Sequence, residues 1–150
     1  MSFYVILVII HIFAAIVGLG PGFIMTFIVT KSSNMTELRH AYFLRNRVHL
    51  FVMIGGVFLF VTGMWMGFIN PRLFLEGWYI LSLILFLMTL AAGPLVLKPL
   101  SAPIKKLLAE HKGENIPAIY DTYAKRLFLY ERLLNFIFLI IILLMILKPF

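Results

Sequence analysis

The stretch from Phe3 to Thr30 contains no aspartate, glutamate, lysine or arginine. At ~1.5 Å of rise per residue, a helix of this length crosses a hydrocarbon core of ~30 Å with some tilt. Similar apolar runs recur along the chain, of which 63% is hydrophobic and only 13% is charged. This pattern excludes an ordinary soluble domain and predicts an integral membrane protein.

The same stretch is not typical of a cleaved signal peptide. It has no basic n-region, it is longer than an h-region, and Lys31-Ser32-Ser33-Asn34 follows it instead of a cleavage site with small residues.

The chain contains no cysteine, which excludes disulfides, thiolate metal sites, iron–sulfur ligation and cysteine nucleophiles. In a membrane chain the net charge of +7 first reports orientation, so no nucleic-acid partner is predicted.

The apolar runs predict an all-α fold: an antiparallel four-helix transmembrane bundle that forms a single domain. We expect its spans at about residues 3–30, 48–69, 78–97 and 127–147. The second helix should start earlier, in the basic stretch from Glu37 to Arg47, and should stop at Asn70-Pro71. Its start is weakly marked, because Thr36 and Glu37 do not have the spacing of a capping box.

The third span should be bent near its end by Gly93-Pro94. A polar segment follows from Lys98 to about Arg126, and we expect its several prolines to break it. Within this segment, Ile104–His111 has the pattern of a short amphipathic helix that lies at the membrane interface.

The basic residues are distributed unevenly between the two predicted membrane faces. All lysines and arginines except Arg72 and Lys148 lie in, or next to, the connection between spans one and two or that between spans three and four. The positive-inside rule therefore places both termini outside and the basic connections in the cytoplasm. Four aromatic residues fall at the outer boundary, as expected for an aromatic belt: Tyr4, Trp65, Trp78 and Tyr79.

Small residues indicate how the predicted helices meet. Gly56, Gly63 and Gly67 share one face of the second helix, and the third carries Ala91-Ala92-Gly93. In lipid, close approach of two backbones favours association, so we expect both faces to point into the bundle. The same small-residue faces are also consistent with a homodimer, and the sequence leaves the two possibilities open.

His11 stands out within the first span, because hydrocarbon offers an imidazole neither water nor a charge. Steps of three and four residues lead from it along one helical face to Ala14, Ala15, Gly18 and Gly22. An ionisable residue inside the membrane is a hypothesis for a functional site. Two interpretations stay open: a neutral imidazole hydrogen-bonded across helices, or a ligand to a bulky planar group that fills the space beside the small residues.

The other histidines are weaker candidates. His40 lies in an arginine-rich stretch and His111 in a charged loop, where solvated side chains are the more common case. His49 begins the second span at the membrane face opposite His11, and we expect it to hydrogen-bond near Glu131 and Asn135. The carboxylates all lie at or beyond the predicted interfaces, which disfavours a proton pump.

Imidazole coordinates zinc, copper and haem iron. A zinc site would need further ligands at the depth of His11, about 12 Å below the outer end of the first helix, and the sequence offers none. At this depth the neighbouring helices carry Thr62 and Ser82, with Met64 slightly higher and Met88 slightly lower. Either methionine is a candidate second axial ligand of a haem iron, and a five-coordinate iron is equally consistent.

Several short motifs together resemble a group of small bacterial membrane proteins. The group includes an uncharacterised four-helix family, the copper-resistance D-like domains and the HemJ-type protoporphyrinogen oxidase. The resemblance covers most of the chain and rests on His11, Thr62-Gly63-Met64-Trp65, Trp78 and Leu144–Phe150. It implies a four-helix scaffold in the cytoplasmic membrane of a bacterium and, from the HemJ-type proteins, a b-type haem at the first-helix histidine, which corresponds to His11.

Two positions depart from the HemJ-type pattern. Arg132-Leu133-Leu134-Asn135 resembles that family's Arg-x-x-Asn before the last span, but the following glutamate is Phe136 here. A lysine expected four residues after the third-span tryptophan is Ser82. The resemblance therefore implies the scaffold and the haem histidine rather than the oxidase activity.

The leading hypothesis is a haem-binding membrane protein that handles or senses haem, or transfers electrons through it. The predicted haem b site comprises His11, Ala14, Ala15, Gly18 and Gly63, with His11, Met64 and Met88 as candidate iron ligands. An alternative is a non-catalytic membrane partner or regulatory subunit whose basic loops act on anionic lipid or another membrane protein. A small-solute or copper transporter is a weaker third hypothesis, supported only by Met64-x-Met66.

The orientation is testable because the chain has no cysteine to remove. We expect Arg72→Cys to react with a membrane-impermeant maleimide in intact spheroplasts, since its loop faces outward. Lys112→Cys should react only after the membrane is disrupted. Labelling of Lys112→Cys in intact spheroplasts, with Arg72→Cys protected, would reverse the orientation.

Overall fold

The structure is a computed structural model that describes residues 2–150, which form helices and no β-strand. The helices are α1 (Phe3–Thr30), α2 (Met35–Ile69), α3 (Gly77–Ala92), α4 (Lys98–Glu110) and α5 (Ile119–Leu147). A short 3₁₀ turn, Pro71–Leu75, precedes α3, and a π turn, Gly93–Leu97, joins α3 to α4.

Within residues 2–150, four helical segments are long and apolar enough to cross a membrane. They are α1, α2, the joined segment Gly77–Glu110 and α5. The prediction of an all-helical membrane protein with four spans is therefore confirmed. The connections between the spans are short, so neighbouring helices along the chain run antiparallel.

The polar segment after the third span is more helical than the sequence predicts. The helix does not break at Lys98, because the π turn next to Pro94 absorbs the local irregularity and α4 continues to Glu110. Pro99 lies in the first turn of α4, where its missing N–H costs little. The expected amphipathic helix is thus the second half of α4, and its Ile104 is completely buried.

The N-terminus of α2 has a hydrogen-bonded cap, which the spacing of Thr36 and Glu37 does not predict. Asn34 is the N-cap, and its side chain accepts a hydrogen bond from the Glu37 amide at 2.8 Å. The Glu37 carboxylate accepts in turn from the backbone amide of Ser33, also at 2.8 Å. This arrangement is a variant of the capping box, displaced by two residues from the position considered in the sequence.

The closest helix pair is α1 and α2, which approach at a pair of glycines. A Cβ added to Gly18 would lie 2.7 Å from the carbonyl carbon of Gly55, so neither position has room for a side chain. The prediction for Gly56 is wrong, since open space surrounds its Cα; Gly55 makes the contact instead. Gly93 likewise has open space beside it and Ala91 is exposed, so the small residues of the third span do not pack into the bundle.

The two ends of the bundle are packed differently. At the end formed by Thr30, Met35 and Ile119, here the Arg45 end, a buried cluster joins α1, α2, α4 and α5. Its fully buried members include Met35, Leu38, Ile104 and Leu127. At the opposite end, which we call the His11 end, a cavity lies between the helices.

The close approach of α1 and α2 predicts different effects at adjacent glycines. Gly55→Ala should lower the free energy of unfolding by about 1–3 kcal/mol, because the new methyl overlaps the Gly18 backbone. Gly56→Ala is the matched control and should be neutral or slightly stabilising, since its methyl meets open space. Reversible unfolding in detergent, followed by circular dichroism, compares the two. Equal losses would contradict the packing of this seam.

Candidate functional site

A cavity of about 740 Å³ lies at the His11 end of the bundle, between the α1–α2 pair and the α3–α5 pair. We call it the His11 cavity. Side chains of all these helices line it, and most of them are apolar. The cavity is partly open, and its lining residues Ile12, Ile16 and Ile146 are 53%, 62% and 70% exposed on the outer surface of α1 and α5.

His11 lines this cavity, and one of its ring nitrogens is held by α2. The Thr62 hydroxyl donates to the carbonyl oxygen of Phe58 at 2.6 Å, so it accepts from His11 Nδ1, 2.8 Å away. Nδ1 therefore carries the proton, and Nε2 keeps its lone pair with no protein partner among residues 2–150. A histidine whose Nδ1–H is hydrogen-bonded in this way is oriented to coordinate a metal through Nε2.

Two further polar residues of α3 lie beside the same cavity. The Tyr79 hydroxyl donates to the carbonyl oxygen of Gly63 at 2.9 Å, which joins α3 to α2. Ser82 is fully buried, and its hydroxyl has no hydrogen-bond partner within residues 2–150. Its position beside the cavity agrees with the depth estimate that placed Thr62 and Ser82 at the level of His11. An unpaired buried hydroxyl of this kind is costly in an apolar site.

The structure separates the small residues of the predicted haem site into two groups. Ala15 and Gly63 line the His11 cavity, and Cε1 of His11 lies 3.4 Å from where a Gly63 Cβ would be. Ala14 and Gly18 do not line it, because they are buried against α2 at the Gly55 contact. The space beside the small-residue face is therefore open at Ala15 and filled by the α2 backbone at Gly18.

The predicted methionine ligands lie outside the cavity. Met88 is 58% exposed on the outer surface of α3, and Met64 is absent from the cavity lining. Met66 and Met145 line the cavity instead. The sequence does not distinguish these residues, since the sulfur atoms of Met64 and Met66 lie on different helical faces and depth alone does not select the inward one.

The described residues do not include a conventional cluster of metal ligands. No group of three or more histidine, cysteine, aspartate or glutamate side chains converges anywhere in residues 2–150. A bare zinc ion would need such a group. A haem brings four nitrogen ligands of its own and needs only one or two from the protein.

A second polar cluster lies at the Arg45 end, in a region that the sequence places at the membrane boundary. The Arg45 guanidinium forms an ion pair with Glu131, and Thr26 donates to the same carboxylate at 2.9 Å. We call these three residues the Arg45 network; it joins α2, α5 and α1. Both charged residues are buried, at 9% and 5% exposure, and Arg45 Nε has no partner in the described chain.

The prediction for His49 is wrong. His49 is exposed, and no hydrogen bond connects it to Glu131 or Asn135 in the part of the chain that the structure describes. Glu131 forms its ion pair with Arg45, and the Asn135 amide donates to the carbonyl oxygen of Gly22 at 3.2 Å. The arginine one turn before His49 reaches the inward face that the histidine does not.

The fold and the cavity define a multi-pass integral membrane protein with a half-open apolar cavity beside an oriented histidine. The chain belongs to the family described as "Predicted integral membrane protein (DUF2269)", whose model matches residues 5–149. Searches of curated proteins and of solved structures found no match. The comparisons thus give a membrane protein family and no support for the resemblance to copper-resistance D-like domains or the HemJ-type oxidase.

The Arg45 network predicts a large loss of stability when one charge is removed. Glu131→Ala leaves the buried Arg45 guanidinium unpaired and should cost about 3–5 kcal/mol of unfolding free energy. Glu110→Ala, at an exposed glutamate near the end of α4, is the control and should be nearly neutral. Chemical unfolding in detergent measures both. A neutral Glu131→Ala variant would contradict the buried ion pair.

Proposed function

We propose that the protein binds a haem in the His11 cavity, where Nε2 of His11 would hold the iron. The observation that carries this proposal is the hydrogen bond from His11 Nδ1 to Thr62, which leaves Nε2 as the free nitrogen beside a large cavity. Such a second-shell bond fixes the tautomer and the ring plane of a metal-binding histidine.

The cavity is suitable for such a ligand in size and polarity. Its volume of about 740 Å³ falls within the ~300–1,000 Å³ typical of cofactor sites. The lining is apolar apart from a few convergent polar groups, notably His11, Tyr79 and Ser82. Because the cavity is partly open, a hydrophobic ligand has a route into it without unfolding of the bundle.

Each residue has a distinct part in the proposed site. His11 holds the iron, Thr62 orients the imidazole, and Ala15 with Gly63 leaves room for a flat ring system. A bound haem supplies one-electron chemistry or small-ligand sensing, and the surrounding side chains exclude water from it. Met66 and Met145 are the available thioethers for a second axial position, in place of Met64 and Met88.

The proposal covers haem handling, sensing or electron transfer and does not extend to protoporphyrinogen oxidation. Ser82 and Phe136 occupy the positions where the HemJ-type pattern has a lysine and a glutamate. Phe136 is 62% exposed, so no ionisable group from that position reaches the cavity. The proton-transferring groups that an oxidase of that type would use are therefore absent from these two positions.

A spectroscopic titration tests haem ligation. Purified protein should give a Soret band characteristic of histidine ligation, either as isolated or after addition of haemin. His11→Ala should lose or strongly shift this band, while His49→Ala, at an exposed histidine, should leave it unchanged. Absorbance and electron paramagnetic resonance spectra of the three proteins provide the measurement.

The contrary outcome is equally clear. If the wild-type protein shows no Soret band after haemin addition, or if His11→Ala gives the same spectrum as the wild type, then His11 is not a haem ligand. Thr62→Val serves as a further check, because loss of the Nδ1 acceptor should weaken haem binding without abolishing it.

A further inference from the structure

A smaller pocket with several polar residues adjoins the His11 cavity at the same end of the bundle. This end pocket has a volume of about 340 Å³ and is lined by Asn70, Arg72, Leu73, Glu76, Trp78 and Lys148. Leu73, Trp78 and Lys148 line both spaces, and we call these three residues the Lys148 rim. A long ligand in the cavity would therefore reach a polar, charged exit through this rim.

Lys148 is the one full charge that contacts the His11 cavity among the described residues. Arg72 joins it in the end pocket, where Glu76 is the single carboxylate. Neither cation forms a salt bridge within residues 2–150. Both cations therefore lack a salt bridge in the described chain, and Lys148 lies next to an apolar space.

The backbone conformation of Lys148 and its amide hydrogen bond hold this residue at the end of α5. It is the single non-glycine residue with a positive φ, 46°, in the described chain, and it terminates α5 through a hydrogen bond from its amide to Leu144 O at 2.9 Å. Its ammonium lies 5.5 Å from the centre of the Trp78 ring. The Trp78 amide donates to Phe150 O at 3.0 Å, which holds the residues after α5 against the start of α3.

A left-handed lysine at a helix end is uncommon, since an L side chain is disfavoured there relative to glycine. Strained positions of this kind persist where surrounding contacts hold them and they mark candidate functional sites. Here the positive φ, the contact of the ammonium with Trp78 and the absence of a salt bridge all concern the same residue, Lys148. Together they indicate a cation that is positioned to bind an external anion.

We propose that Lys148, with Arg72 beside it, binds the carboxylate end of an elongated amphiphile whose apolar body occupies the His11 cavity. The inference deepens the proposed function, because it gives the ligand of that cavity a direction. Its acidic end lies at the Lys148 rim, and its body extends toward His11, which lies about 12 Å along α1 from the start of that helix. A porphyrin that carries carboxylate side chains at one edge has this chemistry.

Metal-free protoporphyrin IX tests the carboxylate site without iron ligation. Fluorescence titrations in phosphatidylcholine nanodiscs should show that the free acid binds more tightly than its dimethyl ester. Lys148→Gln should weaken binding of the acid by about fivefold, the upper range for an exposed ion pair, and should leave the ester unaffected. The preference for the acid should shrink as salt rises, because salt screens an exposed pair.

Two further variants control for charge and folding. Lys31→Gln is the matched control, since the Lys31 ammonium also lies 5.5 Å from an aromatic ring, that of Phe27, but away from the cavity. It should leave both affinities unchanged. Lys148→Arg keeps the charge and should retain the preference for the acid. Unchanged ester binding in Lys148→Gln shows that the cavity is still folded.

The outcomes separate this proposal from haem ligation. Equal binding of acid and ester, equal effects of Lys148→Gln and Lys31→Gln, or no binding of either porphyrin would overturn the carboxylate site. His11→Ala should keep the preference for the acid while losing the haemin spectrum. A preserved acid preference with no histidine-ligated haemin in the wild type would overturn the iron ligation alone.

Discussion

The Arg45–Glu131 ion pair is the interaction on which the arrangement of the other helices depends. Two buried charges in a membrane protein are tolerated only when they meet, so α2 and α5 must approach each other at this level. Thr26 adds α1 to the same carboxylate, and the Asn135 amide binds Gly22 O one turn further along α5. Packing around these polar contacts is consequently tight at the Arg45 end.

The opposite end is open because its polar contacts join the helices differently. There the Gly18–Gly55 approach fixes α1 on α2, while α3 packs against α5. Tyr79 gives a single hydrogen bond between the two pairs near this end. The space that remains between them is the His11 cavity. The bundle thus has a packed core at the Arg45 end and a cavity at the His11 end.

The sequence was sufficient to predict which polar residues of the other helices lie at the level of His11. Counting 1.5 Å per residue along each helix places Thr62 and Ser82 at the level of His11, and the structure brings all three to one region. The choice among methionines was not predictable in this way. Met64 and Met66 are two residues apart on different faces of α2, and Met66 lines the cavity because the rotation of α2 is set by its contact with α1.

The sequence alone determined that this is an all-helical membrane protein with four long apolar segments, because hydropathy and helix length are properties of each segment by itself. Tertiary structure decided which face of each segment turns inward. Lipid and protein interior are almost equally apolar, so an apolar pattern does not indicate which of Gly55 and Gly56 makes the contact. For the same reason, the burial of Arg45 with Glu131 and the free Nε2 of His11 became visible only once the helices were packed together.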